Sequence, residues 1–408
     1  MSDPRAPRLV VRTVEIADPG DLVALLPAED PMTWLRRGDG FVAWGRAAVH
    51  ETAGADRFAD ASAWWREVVR VAAVADEVGV PGSGLVCLGS FAFADRPGSS
   101  LLVVPQVIVG RRGDVAFMTT VDSAAPTLSP SEPPEPPRDL AFADGALTGA
   151  EWEGVVWEAV LHLNAGELDK VVLARDLIAT ASAPIDVRWP LQRLASEYEM
   201  CWTFHVDSLF GATPEMLVRR EKGLVTSRVL AGTIRRTGDD EHDLTLAATL
   251  ARSSKDLEEH EYAVRSVADA LAPYCSSMNV PESPFVLHLP NVMHLATDVA
   301  GVAHDTGANV LDLAAALHPS AAVGGTPTKL AVELIAEIEG MDRGRYAGPV
   351  GWMDAHGDGE FGIALRSAEI DGPQVRLFAG CGIVAGSDPE AELAESQAKF
   401  VPVRDALS

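Results

Sequence analysis

The chain has 408 residues, room for roughly two to three domains of about 150 residues each or for one large α/β or α+β unit. Hydrophobic residues make up 47% and charged residues 23%, enough apolar content for a sizeable core and too much for global disorder. Lys plus Arg number 33 and Asp plus Glu 59, for a formal net charge of −26. This argues against nucleic acid or an anionic membrane surface as the main partner, while a few local cations can still bind a small anion.

The opening MSDPRAPRLV has no charged region followed by an apolar run, so no signal peptide is expected. No stretch reaches the roughly 18 consecutive apolar residues of a membrane span. Cys87, Cys201, Cys275 and Cys381 are scattered without a C-x-x-C pair, which disfavours a disulfide scaffold and structural zinc. The expectation is a soluble, cytoplasmic protein. Residues 8–120 alternate strand-like runs (LVVRTVEI, FVAWGRAAVHE, LVCLGSFAFA, LLVVPQVIVGRR, VAFMTTV) with one helical stretch from Asp60 to Val78, where Trp64, Val68, Val71 and Ala72 recur at helical spacing. The composition then breaks between Asp122 and Gly145. Six prolines from Pro126 to Pro137 cannot pair in a central sheet or sit inside a helix, so 122–147 reads as a Pro-rich loop.

Beyond the loop, Thr148 and Glu151 fit a capping box. Trp152, Val155, Val156, Ala159 and Leu163 mark one apolar helix face, Gly166 stops the helix, and Lys170 to Ala179 reads as a buried strand. Strand candidates continue through CWTFHV, SLFGA, MLVRRE, GLVTSRV, FVLHLP, VMHLATDVAG, GPVGWMD, GEFGIALRSAEI and QVRLFAGCGIV, with helices expected at 239–252, 254–272, 308–317, 327–339 and 389–407. Strict βαβ alternation is lacking. The predicted fold class is α+β, a large antiparallel or mixed sheet flanked by helices.

Two acidic helices stand out. In SSKDLEEHEYAV, Asp256 and Glu259 are three apart, and in SDPEAELAESQAKF, Glu392, Glu395 and Lys399 lie at i, i+3 and i+7, so each set shares a face. Two such faces could hold one Mg²⁺, which takes oxygen ligands and keeps several waters. A solvated amphipathic face accounts for the same spacing. Lys170 opens an apolar strand. There a lysine snorkels by default, but a buried one has a lowered pKa and can act as a general base. Glu215, after Pro214, is by itself an ordinary turn acid. Gly380, Gly382 and Gly386 do not form a dinucleotide fingerprint, and VGGTPTK lacks the phosphate-loop pattern. His318 before Pro319 suits a core or turn position.

Together, KVVLAR (170–175), ATPEMLVRR (212–220), LAGTIRR (230–236), SSKDLEEHEYAV (253–264), HLATDVAG (294–301), LHPSAAVGGTP (317–327), RYAGPVGWMD (345–354), FGIALRSAEI (361–370) and RLFAGCGIVAGSDPEAELAESQAKF (376–400) resemble, in this order, the chorismate-utilising enzyme family. That family includes isochorismate, anthranilate, aminodeoxychorismate and salicylate synthases. The resemblance spans roughly 150–405. It implies the anthranilate synthase component I-like fold, with 148–408 as the chorismate-binding catalytic region and 1–121 as a β-rich portion of the same fold. It implies Mg²⁺ on Glu259 and Glu395, with Asp256 and Glu392 holding metal-bound water. Gly232, Thr233 and Lys399 would orient the ring carboxylate, and Arg366, Tyr346 and the backbone around Gly380 and Gly382 the enolpyruvyl carboxylate. His318 matches the family's histidine near the ring.

Lys170 narrows the choice of member. Ammonia-using members carry Gln or another non-basic residue here, whereas water benefits from a neutral lysine that takes its proton. HPSAAVGGTP and HLATDV, with Ala296, resemble isochorismate-forming members more than anthranilate-forming ones. The implied reaction is reversible conversion of chorismate to isochorismate, with Lys170 as base and Glu215 as acid. No obligate protein partner is implied, and a monomer is expected. The N-terminal DPMTWLRRGDGFVAWGRAAV favours menaquinone over siderophore or salicylate as the pathway served. A salicylate synthase, an ammonia-using synthase and a non-catalytic chorismate-binding protein are the alternatives.

Overall fold

The computed structural model describes residues 6–289, 292–304 and 307–408, with Lys255 and Glu259 described by their backbone alone. Its centre is a sheet of 21 strands among the described residues. The long strand Ser100–Arg112 is the hinge of the topology. One arm runs from it through Asp39–Thr52, Pro31–Arg36, Trp202–Val206, Leu209–Thr213, Ser367–Asp371 and Gln374–Ile383 to Lys170–Thr180. The other runs through Val86–Ser90, Pro349–Asp354, Gly359–Ile363, Met216–Glu221 and Leu224–Arg235 to Val292–Ala303. Every pairing in both arms is antiparallel; Val10–Ile16 with Ala73–Asp76 is the parallel one. Strands before and after the Pro-rich segment pair directly, as Thr203 with Leu35 and Trp352 with Leu88.

The apolar content is spent between the arms and beneath the helices. Trp34, Phe41, Phe204 and Trp352 pack in one cluster, all at most 2% exposed. A larger cluster unites Trp65, Trp152, Leu173, Val225, Val299, Leu311 and Phe361 from elements far apart in sequence. The capping box forms as expected: the Glu151 N–H donates to Thr148 Oγ1 at 3.3 Å and the Thr148 N–H to Glu151 Oε2 at 2.9 Å. Trp152 then buries its indole and donates Nε1–H to the Ala174 carbonyl at 3.0 Å. This ties helix Gly149–Asn164 to the strand that begins at Lys170.

Some elements differ from the sequence reading. The first helix runs Arg57–Val71 and gives way to the strand Ala73–Asp76, because the β-compatible AVAD finds a partner in Val10–Thr13. Helix Arg188–Glu197 carries Pro190 in its first turn, where proline's missing N–H costs nothing. Pro105 lies inside a strand, at the bulge between Arg46 and Ala48, a site where the ladder is already broken. Past the last prolines of 122–147, Ala141–Asp144 pairs with Leu177–Thr180. No helix of the described residues is long and apolar enough to cross a membrane.

Candidate active site

The far ends of the two arms enclose a cavity of about 250 Å³. From one arm come Lys170 and Val172, two apart on one strand, and Gly380 and Gly382 on the neighbouring strand. Gly382 lies opposite Val172 and Gly380 opposite Ala174, so the period of two turns all of them to one face. A side chain at 380 would be tight: a Cβ there would stand 3.0 Å from the Tyr346 hydroxyl and 3.1 Å from the Leu173 carbonyl. Tyr346 stacks on Phe378 with ring centroids 5.0 Å apart, and burial pushes its hydroxyl up to about 12.

From the other arm come Gly232, Thr233 and His294, and from the link between the arms comes Glu215. Pro214 ends one strand, and the backbone at Glu215 is fixed from both sides. Its N–H donates to Thr213 Oγ1 at 3.2 Å, and its carbonyl accepts the Ile363 N–H at 3.1 Å. Gly232 has φ +81° and sits where the pairing with Val292–Ala303 slips by one residue. This bulge turns Thr233 toward His294, with Thr233 Oγ1 2.9 Å from Nδ1. His294 Nε2 is buried without a hydrogen-bond partner. Burial, helped by Arg366 and Lys399, holds that imidazole well below its usual range and therefore neutral.

Two helices close the cavity. Ser254–Leu271 is capped by Ser253 and presents Asp256. Its His260 is 2% exposed, with Nδ1 3.1 Å from the Ala231 carbonyl and Nε2 2.7 Å from Thr297 Oγ1. It pins the helix across the two strands that carry Gly232 and His294. Pro389–Leu407 is capped by Asp388 and presents Glu392, Glu395 and Lys399. Lys399 Nζ lies 2.6 Å from Glu395 and donates to the Gly380 carbonyl at 2.9 Å. Glu392 accepts from Ser387 Oγ at 2.7 Å.

Burial pushes the Glu215 carboxyl up to about 8, although Arg366 and Lys170 pull the other way. Glu395, only partly buried, is instead held below its usual range because Lys399, with Arg366 and Lys170, outweighs desolvation. Two carboxyls of one cavity are thus pushed in opposite directions. Ligand atoms of Glu392, Glu395 and Cys381 lie within 4.8 Å of one another. Burial raises the Cys381 thiol far above its usual range, so the two carboxylates are the hard-cation donors of that group. The Lys399 ammonium on Glu395 marks a position that already attracts positive charge.

Of the residues expected from sequence, Lys170, Glu215, Gly232, Thr233, Asp256, Tyr346, Arg366, Gly380, Gly382, Glu392, Glu395 and Lys399 line this one cavity. The Glu259 side chain lies outside the described residues. His318 does not line it and is corrected. It lies at the end of helix Val310–Leu317, its Nε2 2.9 Å from the Phe93 carbonyl, its ring against Phe58 and Phe93, beside a separate cavity with Arg57 and Asp95. His294 lines the cavity instead. Its signal was present in HLATDVAG, but a histidine on an apolar strand reads like any core residue. Arg343 was also missed. It lines the cavity while held by buried Glu339 at 2.5 Å and by the Val323 and Val172 carbonyls.

The cavity brings Lys170, Arg343, Arg366 and Lys399 together with the carboxyl groups of Glu215, Asp256, Glu392 and Glu395. The model of the chorismate binding enzyme family matches residues 115–408, and the chain belongs to that family. It is 38% identical to Bacillus subtilis isochorismate synthase MenF over 63% of this chain and 55% of that relative, so the match spans little more than half the relative's length. It is 34% identical to the salicylate biosynthesis isochorismate synthase of Pseudomonas aeruginosa over 98% of this chain and 90% of the relative. Among solved structures, the menaquinone-specific isochorismate synthase MenF of Escherichia coli superposes with a TM-score of 0.82 at 26% identity, covering 99% of this chain and 96% of that one.

Proposed function

We propose that this chain is an isochorismate synthase, interconverting chorismate and isochorismate with Mg²⁺ and acting as a cytoplasmic monomer without a protein partner. The observation that carries this reading is that Lys170 and Glu215 line one cavity, where burial pushes the Glu215 carboxyl up to about 8. Lys170 takes a proton from water while the water oxygen bonds to ring carbon 2. The ring double bonds shift, and the hydroxyl at carbon 4 leaves with the proton of Glu215 as water. One water enters and one departs, so the net change is an isomerisation. Placing the acid in a dry site gives it proton-donating power at neutral pH that a solvated glutamate lacks.

Glu259, Glu395, Asp256 and Glu392 are the residues that would hold Mg²⁺, with the last two acting through water. When bound, the ion neutralises and orients the ring carboxylate. Thr233 and Lys399 would bind that carboxylate beside it. Arg366 and Tyr346 suit the enolpyruvyl carboxylate, since a guanidinium fork donates two parallel hydrogen bonds. His294 would donate Nε2–H or accept at the ring edge, a role its orphaned nitrogen makes available. Incubation with chorismate, with and without Mg²⁺, and chromatography of the products tests the reading. Isochorismate formed only with the metal is expected; salicylate plus pyruvate, or no conversion, would contradict it.

A further inference from the structure

Lys170 does not face one cavity alone. A second cavity, of about 340 Å³, lies behind the first, and Lys170 and Val384 belong to the walls of both. The geometry at Lys170 explains the double position. Gly325 has φ +144°, and a Cβ there would stand 2.2 Å from the Lys170 carbonyl. Only glycine lets this turn approach so closely, and Thr326 then pairs with Lys170. The Ser254–Leu271 helix borders both spaces. Asp256 faces the first, while Glu258 and Tyr262, one turn apart, border the second. Tyr262 is 50% exposed and Ala385 is exposed, so this space opens to solvent on its own side.

We propose that this second cavity holds and replenishes the nucleophilic water, delivering it to Lys170 from the side away from the bound ring. The inference rests on the isochorismate synthase reading. In that reaction a water is consumed beside Lys170 and another is released beside Glu215. A ring seated between the two groups blocks passage from one to the other through the first cavity, so the entering water needs a separate approach. The second cavity has the chemistry for it. Asp169, Thr326, Glu258 and Tyr262 offer polar partners near Lys170, and a held water needs two to four of them. Leu163, Leu168, Ala263 and Ala321 make the rest of the wall apolar, and water held by few bonds moves readily.

Two substitutions close the space without touching chorismate or the metal. Ala321→Leu fills it from within, and Ala385→Trp caps its mouth from an exposed position. The expected result for Ala385→Trp is a fall in kcat of about tenfold or more, with chorismate and Mg²⁺ dissociation constants and melting temperature unchanged and Ala385→Ser as active as the parent chain. A purely structural lesion would move affinity or melting as well. Isochorismate formation by both closed variants at the parent rate would overturn the inference alone. So would a loss confined to chorismate affinity, which would make the space part of the substrate site. A parent chain that forms no isochorismate would overturn the functional reading and this inference with it.

Discussion

Glu215 carries the sharpest consequences because one buried carboxyl sets both chemistry and stability. Unfolded, it ionises near its ordinary 4.5; folded, burial moves it to about 8. Between those values the folded chain keeps a proton the unfolded chain has lost, so this group's contribution to stability falls as pH rises through the window and is fully unfavourable above it. Glu215→Gln removes the ionisation. The variant should have lost turnover, yet its melting temperature should exceed the parent's at pH 9 and match it at pH 4, as read by calorimetry at the two pH values. The parent's forward rate should likewise decline as pH rises through about 8, where the acid loses its proton. Lys170→Ala should lower kcat by ~10²–10⁴ with chorismate binding retained, measured by single-turnover assay and by fluorescence titration. His294 and His318 show what single residues conceal. Each sits in an apolar run, and only the fold reveals that one nitrogen faces the cavity while the other ring is occupied by the Phe93 carbonyl.

Secondary elements place these groups, and their legibility was uneven for physical reasons. The helices Ser254–Leu271 and Pro389–Leu407 were readable because their caps and their i, i+3 carboxylates are local. The glycines at 380 and 382 were conspicuous, but the closeness of Tyr346 and of the Leu173 carbonyl to position 380 depends on strands joined over about two hundred residues of sequence. Arg343 stayed hidden because its i, i+4 partner Glu339 has the spacing of a solvated helix pair, yet both are buried. The bulge at Gly232 was likewise invisible until two strands were set side by side. Its φ of +81° makes Gly232→Ala strained by ~1–2 kcal/mol, which urea unfolding can measure. Because the bulge aims Thr233, the same variant should bind chorismate more weakly. At helix Gly149–Asn164, Thr148→Ala should cost ~1 kcal/mol with the active cavity unchanged, a contrast between support and site within one assay pair.

Across the whole molecule, Lys170 opens the last strand of one arm, while Glu215 lies in the short link between Leu209–Thr213 of that arm and Met216–Glu221 of the other, so the distance between the proposed base and acid is set by the entire fold. That arrangement explains why pairings such as Thr203 with Leu35 and Trp352 with Leu88 join the N-terminal third to the catalytic residues. Ligands that bind the folded chain alone should also stabilise it. With Mg²⁺ and chorismate each held near 100 times their dissociation constants, the melting temperature should rise in step with ~2.7 kcal/mol per ligand, and chelation should reverse the metal's share. The most direct test of the central claim is a turnover in ¹⁸O-water with chorismate and Mg²⁺, followed by mass spectrometry of the product. The account predicts isochorismate carrying solvent oxygen at carbon 2, lost when Lys170 or Glu215 is replaced. Product of another kind, or undiminished label incorporation by the Lys170→Ala variant, would contradict it.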